Sequence, residues 1–247
     1  MTDPVSTLRL HPAAGSPSGV SLSDEEIHRR VQPYTMTSAE RVVAAIRAVD
    51  YVVTNGIEGD VVECGVWRGG SVMAMAYALL RRGEVRPTLF LYDTFAGMCP
   101  PTERDVRFDG APAADLLASS PKDGDVWGVA PLDEVKRNLA STGYPAAKLC
   151  FVTGPVERTI PRTMPGAIAI LRLDTDWYES TRHELVHLYP LLREGGVLIV
   201  DDYGHWRGSK AATDEYFAGI AERPELHRID YTGVLAIKPA GRSMVDR

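Results

Sequence analysis

Cysteine is scarce in this chain. Cys64, Cys99 and Cys150 are the three in 247 residues, an odd number at wide spacing. That argues against a disulfide framework and points to free thiols in a reducing cytoplasm. Positive charge is also short, with 27 Lys and Arg against 33 Asp and Glu and a net charge of −6. Nonspecific nucleic-acid binding needs a basic surface, so no nucleic-acid partner is expected. No apolar run approaches the roughly 20 residues of a membrane span. Residues 1–15 show no basic segment leading into an apolar one, so no secretory signal is expected and the expected location is cytoplasmic. Two nucleotide signatures are missing as well: neither GxGxxG nor GxxxxGK[ST] occurs.

What is present is an ordinary globular share of hydrophobic residues, 45%, enough for one good-sized core. Residues 1–25 are rich in Ser, Pro, Gly and Ala without a period and read as a flexible tail. Residues 26–247 read as a single domain. Thr37-Ser-Ala-Glu40 fits a capping box ahead of a helix that Gly56 ends. Strands are then predicted over 60–64, 88–92, 149–153, 167–173 and 196–200. Helices are predicted over 70–82, 132–140, 178–193 and 209–221, and a closing pair of strands over 226–230 and 234–238. Strands alternating with helices predict an α/β fold, with a mostly parallel sheet covered on both faces. Residues 94–130 carry many Pro, Gly and Asp and little period. A loop that long in a compact domain reads as a lid, over 98–130.

Ligands of such sheets sit at the carboxyl ends of the strands. Here the strand ends are acidic: Glu63, Asp93, Asp174, Asp201 and Asp202. Five carboxylates at one edge repel unless something cationic joins them. Glu63-Cys-Gly65-Val-Trp-Arg-Gly69-Gly70 follows the first strand, and its glycines allow close approach of backbone to a ligand. Asp93 closes the second strand, where an acid can accept both hydroxyls of a ribose. Asp174, Asp201 and Asp202 close neighbouring strands, and three hard oxygen ligands suit Mg²⁺. The competing reading makes these acids solvated strand ends and helix N-caps. Trp67 and Trp177 adjoin the two groups, as packing or as substrate-stacking residues. His205 is either a base and substrate contact or a support, and Cys64 reads as a buried thiol. His183-Glu-Leu-Val-His187 matches the HExxH zinc signature. Its helix packs through Leu185, Leu188 and Leu192, which puts both histidines on the opposite face, so solvated histidines are expected there.

Asp60-Val-Val-Glu-Cys-Gly-Val-Trp-Arg-Gly-Gly-Ser71, Asp93-Thr-Phe-Ala-Gly97, Leu173-Asp-Thr-Asp-Trp-Tyr-Glu-Ser-Thr181 and Asp201-Asp-Tyr-Gly-His-Trp206 occur in that order. Together they resemble the macrocin O-methyltransferase family, over residues 34–238. The resemblance implies a Rossmann-like class I S-adenosylmethionine-dependent methyltransferase fold with a seven-stranded sheet. It implies methylation of a sugar hydroxyl on a macrolide-type glycoside, with S-adenosylmethionine and Mg²⁺. By position, Glu63, Gly65, Gly69 and Ser71 match the cofactor loop, and Asp93, with Thr94, matches the ribose acid. Phe95 falls near the adenosine, Gly154 and Val156 border the adenine, and Thr35 and Met36 reach the methionine end. Asp174, Asp201 and Asp202 match the metal ligands, with Asp174 or His205 as the base. The resemblance also implies a homodimer or higher homo-oligomer. A catechol-type small-molecule O-methyltransferase is the alternative.

Overall fold

A computed structural model describes residues 22–122 and 124–241. The expected tail over 1–25 lies outside the described residues as far as 21, while Asp24 and Glu25 belong to a helix. That helix, α1 (Asp24–Val31), opens on a capping box: the Ser23 side chain accepts from the Glu26 amide, and the Glu26 carboxylate accepts from the Ser23 amide at 2.7 Å. The capping box expected at Thr37 is absent. Ser38 caps α2 (Ala39–Thr54), accepting from the Arg41 amide at 3.2 Å, and Gly56 follows it with φ +64°.

The later helices are α3 (Gly70–Arg81), α4 (Ala113–Ser119), α5 (Leu132–Ala140), α6 (Val156–Thr159), α7 (Tyr178–Leu188) and α8 (Arg207–Ala218). The strands are β1 (Asp60–Cys64), β2 (Leu89–Asp93), β3 (Leu149–Thr153), β4 (Ile168–Leu173), β5 (Leu192–Val200), β6 (His227–Arg228) and β7 (Val234–Ile237). They form one sheet in the order β3-β2-β1-β4-β5-β7-β6. The pairs from β3 to β5 are parallel, and β7 runs antiparallel to both neighbours. The mostly parallel α/β sheet read from the sequence is thus present. Helix α7 stops at Leu188, because Pro190 cannot continue it and the chain enters β5 at Leu192.

Both faces of the sheet are covered. Val61, Leu91, Ile170 and Ile199 pack one way against α1, α2, α3 and α5; Val62, Leu171, Leu173 and Leu198 pack the other way against α7 and α8. Period-two alternation sends successive side chains to opposite faces, so strands buried on both sides read as continuous apolar runs.

Register fixes the site. Cys64 stands opposite Tyr92 on one side and Leu173 on the other, and Leu173 stands opposite Val200. The chain therefore leaves β1, β2, β4 and β5 at one level, and the residues after those strands share one edge. The switch in strand order falls between β1 and β4, where α/β sheets open their crevice.

Candidate active site

The loop after β1 is held open by its neighbour. The Asp93 carboxylate accepts from the amides of Val66 (2.6 Å) and Trp67 (3.0 Å) through one oxygen, and from the Phe95 amide (2.8 Å) through the other. Burial pushes this carboxyl up, and the three amides pull against that rise. Trp67 and Phe95 sit at φ +46° and +52°, and Asp176, beyond β4, at +69°. These left-handed non-glycine residues cost energy that only a well-determined surround repays. Gly65 lies so close to β4 that a Cβ there would overlap the Asp174 carbonyl oxygen. A Cβ on Gly70 would fall 2.6 Å from the Tyr34 carbonyl oxygen, so the segment before α2 rests on the start of α3.

These elements wall a cavity of about 330 Å³. At its far end the carboxylates of Asp174, Asp176 and Asp202 converge, their nearest oxygens all within 4.8 Å of one another. Burial raises the pKa of Asp174 and Asp176 well above the ordinary value, and repulsion from Asp202 adds to it. Carboxylates that close coexist by sharing a proton or a cation. Three hard oxygen donors, none of them aliphatic nitrogen or sulfur, fit Mg²⁺ or a similar ion.

Asp201 is not among them. It is buried, accepts from Arg172 Nη2 at 2.5 Å, and pairs with Arg41 Nη1. The ligand set expected from sequence, Asp174 with Asp201 and Asp202, therefore differs from the converging set by one residue: Asp176 takes the place of Asp201. The cation that the five strand-end acids required was present in the sequence, inside an apolar strand. Arg172, 2% exposed, donates to Glu63 (2.5 Å), Asp174 (2.8 Å) and Asp201. Burial pulls its pKa down, and the three carboxylates more than reverse that.

The family description for macrocin O-methyltransferase (TylF) matches residues 23–238. This chain belongs to that family. Demethyldecarbamoylnovobiocin O-methyltransferase of Streptomyces niveus is 36% identical over 202 residues, covering 81% of this chain and 74% of that protein. The 8-demethyl-8-(2,3-dimethoxy-alpha-L-rhamnosyl)-tetracenomycin-C 4'-O-methyltransferase of Streptomyces olivaceus is 33% identical over 201 residues, with the same two coverages of 81% and 74%. The solved O-methyltransferase NovP superposes with a TM-score of 0.74 at 29% identity, over 96% of each chain. The calicheamicin methyltransferase CalS11 shares the fold, with a TM-score of 0.59 at 18% identity over 91% of this chain and 98% of that one. The macrocin-family chain is therefore an S-adenosylmethionine-dependent O-methyltransferase of the class I fold.

In this macrocin-family enzyme, Thr35, Met36, Gly65 and Ser71 line the cavity, as do Asp93, Thr94, Gly154 and Val156. Glu63, Gly69 and Phe95 do not. Glu63 alternates away from the cavity and turns to Arg172; burial pushes its carboxyl up to about 7, with Arg172 pulling it down. Gly69 opens α3 with φ +92° against Leu139 of α5. Phe95 is buried and packs on Phe151, ring centroids 6.3 Å apart. His205 lines the cavity edge, where burial lowers its pKa and keeps the imidazole neutral. Its Nδ1 lies 3.4 Å from the Tyr231 hydroxyl. Trp67 and Trp177 both reach the cavity wall. The HExxH histidines are half-buried rather than solvated: His183 Nε2 lies 2.9 Å from the Ile160 carbonyl oxygen, and His187 Nδ1 lies 2.8 Å from the His183 carbonyl oxygen.

The described residues of 98–130 carry a helix of their own, α4, which the sequence reading missed. Ala113 and Leu117 pack on Trp177 and Trp206, whose rings meet edge-on at 5.0 Å. Buried Asp105 ties this segment to the start of α7, accepting from the amides of Tyr178 (2.7 Å) and Thr102 (2.7 Å) and from the Thr102 hydroxyl (2.8 Å). Asp105→Ala takes the acceptor from all three donors, a loss of about 1–3 kcal/mol for each one left buried. Amide hydrogen exchange should quicken across 102–113 and stay unchanged in β1 and β4. Equal protection in the variant would show that this segment does not depend on Asp105.

Proposed function

We propose that the enzyme moves the methyl group of S-adenosylmethionine to a sugar hydroxyl of a glycosylated natural product, with a divalent cation held by Asp174, Asp176 and Asp202. The observation that carries this reading is the convergence of those three carboxylates at the end of the glycine-loop cavity. The sugar acceptor is supported by the relatives, one of which is named for a rhamnosyl substrate and another, 31% identical over 209 residues, as mycinamicin III 3''-O-methyltransferase of Micromonospora griseorubida.

In the transfer an oxygen–carbon bond forms, the sulfonium–carbon bond breaks and leaves a thioether, and the hydroxyl proton passes to the protein. A sugar hydroxyl is about as weak an acid as water, so it needs help to ionise. A divalent cation bound by the carboxylates supplies Lewis-acid polarisation of the acceptor oxygen. The chain's own residues supply the rest. Asp174, at the end of the cavity beside Asp176 and Asp202, accepts the hydroxyl proton, and His205, whose pKa burial lowers, is the second group able to do so. The start of α3 presents free amides to the carboxylate of the methionine end, beside Thr35 and Ser71. Trp177 and Trp206, under α4, exclude water from the acceptor side.

The test is methylation with isotopically labelled S-adenosylmethionine, offered a rhamnosyl glycoside or a catechol, with and without chelator. Glycoside turnover is expected, lost in EDTA and restored by Mg²⁺, while S-adenosylhomocysteine binds in both conditions. Full turnover in EDTA would remove the metal from this reading. Methylation of the catechol alone would move the enzyme to the small-molecule class.

A further inference from the structure

The motif His183-Glu-Leu-Val-His187 has one member that the mechanism above leaves unexplained. Glu184, on α7, is 0% exposed. One carboxyl oxygen accepts from the Thr175 hydroxyl at 2.9 Å, and the other has no hydrogen-bond partner. No lysine or arginine among the described residues pairs with it, and burial holds its pKa well above the ordinary range. A buried polar atom without a partner costs roughly 1–3 kcal/mol, and an apolar side chain of the same shape would avoid that cost. Packing therefore gives no reason for an acid at this position.

Its polar partners are the Thr175 hydroxyl and the Cys64 thiol, and the first of these gives a reason. Thr175 lies between Asp174 and Asp176, which bring two of the three converging carboxylates. Asp174 is fixed independently, since its amide donates to the Cys64 carbonyl at 2.8 Å and its carboxylate accepts from Arg172. Asp176 pairs with no arginine or lysine among the described residues, and its left-handed backbone must be held from outside. The Thr175 carbonyl is held by the start of α7, through the Trp177 amide at 2.8 Å and the Ser180 hydroxyl at 3.3 Å. The Thr175 side chain is held by Glu184 alone among the described residues.

We propose that Glu184 is a positioning residue: by gripping the Thr175 hydroxyl from behind the sheet, it sets the turn that aims Asp176 beside Asp174 and Asp202. The inference rests on the cation reading of those carboxylates given above. Glu184 touches no part of the cavity and acts through the turn.

The probe is Mn²⁺, titrated by calorimetry into the full chain saturated with S-adenosylhomocysteine, alongside thermal melts. Glu184→Met keeps the volume and removes the grip. It is expected to weaken Mn²⁺ binding by about tenfold to a hundredfold, the scale of losing an outer group that orients a metal ligand. Its Tm should match or exceed the wild type, and its S-adenosylhomocysteine affinity should stay within about twofold. Glu184→Gln keeps an oxygen for Thr175 and is expected to restore Mn²⁺ binding to within about threefold. Thr175→Val should reproduce the loss, and the double variant should be no worse than either single change, as for two ends of one interaction. Unchanged Mn²⁺ binding in Glu184→Met overturns the proposal, as do losses that multiply in the double variant. A fall in Tm that tracks the loss in all variants also overturns it, because it marks a structural role. If the wild type binds no Mn²⁺, the cation reading fails on its own. The same variants are then compared in kcat, where Glu184→Met within about twofold of wild type overturns the positioning role.

Discussion

Replacing Asp174 by Asn is expected to lower turnover by at least ~10³-fold, with S-adenosylhomocysteine affinity within about twofold of wild type. The amide keeps the shape of the side chain. It still accepts a hydrogen bond from Arg172, and the backbone bond from residue 174 to the Cys64 carbonyl is untouched. What disappears is the negative charge, and with it both the proton acceptor and one anionic oxygen of the converging three. Gly65, Ser71 and Asp93, which line the other side of the cavity and hold the cofactor in the proposed reading, have no part in that loss. Single-turnover methylation together with calorimetry separates the two halves. Turnover within tenfold of wild type would move the proton to His205.

Arg172→Met is expected to act on stability instead. It leaves the buried acids Glu63 and Asp201 without the cation that joins them, and Asp174 loses its partner too. Breaking a buried ion pair on one side costs about 3–5 kcal/mol. For a chain of this size that lowers Tm by roughly 6–20 °C. The loss also depends on pH. In the intact protein the Glu63 carboxyl sits at about 7, against an ordinary 4.5. A carboxyl that binds its proton more tightly when folded contributes stability that is whole below about 4.5 and is lost as pH rises through about 7. Without Arg172 nothing pulls that value down, so the upper edge of the window moves higher. The Tm gap between variant and wild type should widen from about pH 5 to about pH 8. A gap that stays constant or narrows with rising pH would show that Arg172 does not lower the Glu63 carboxyl in the native protein.

The sequence made the sheet and the acidic edge readable, because strands buried on both faces are continuous apolar runs and each ends on an acid. It hid the neutralising cation, because Arg172 occupies a strand position that looks like a break in an apolar run. It also named Asp201 where the three carboxylates that converge include Asp176. Asp201 and Asp176 are both acids within three residues of a strand end, and only the three-dimensional placement of Arg41 and Arg172 tells which is consumed in ion pairing. Helix α4 was illegible because its packing partners, Trp177 and Trp206, lie some sixty to ninety residues away in the chain. Helical spacing from Leu185 correctly placed that side inward, yet Glu184 beside it faces the core as well, because Thr175 offers it a hydroxyl there. No pattern of apolar residues records a buried acid whose partner is on another element.

Gly65 ties these parts together. With no room for a Cβ beside the Asp174 carbonyl oxygen, the end of β1 and the end of β4 are one seam. A side chain introduced there to admit a bulkier sulfonium donor would pry the methyl-donor half from the acceptor half. Engineering toward alkyl groups larger than methyl therefore has to leave position 65 alone and make its space elsewhere, at Met36 or Trp67 on the cavity wall, where a smaller side chain widens the chamber without separating the strands.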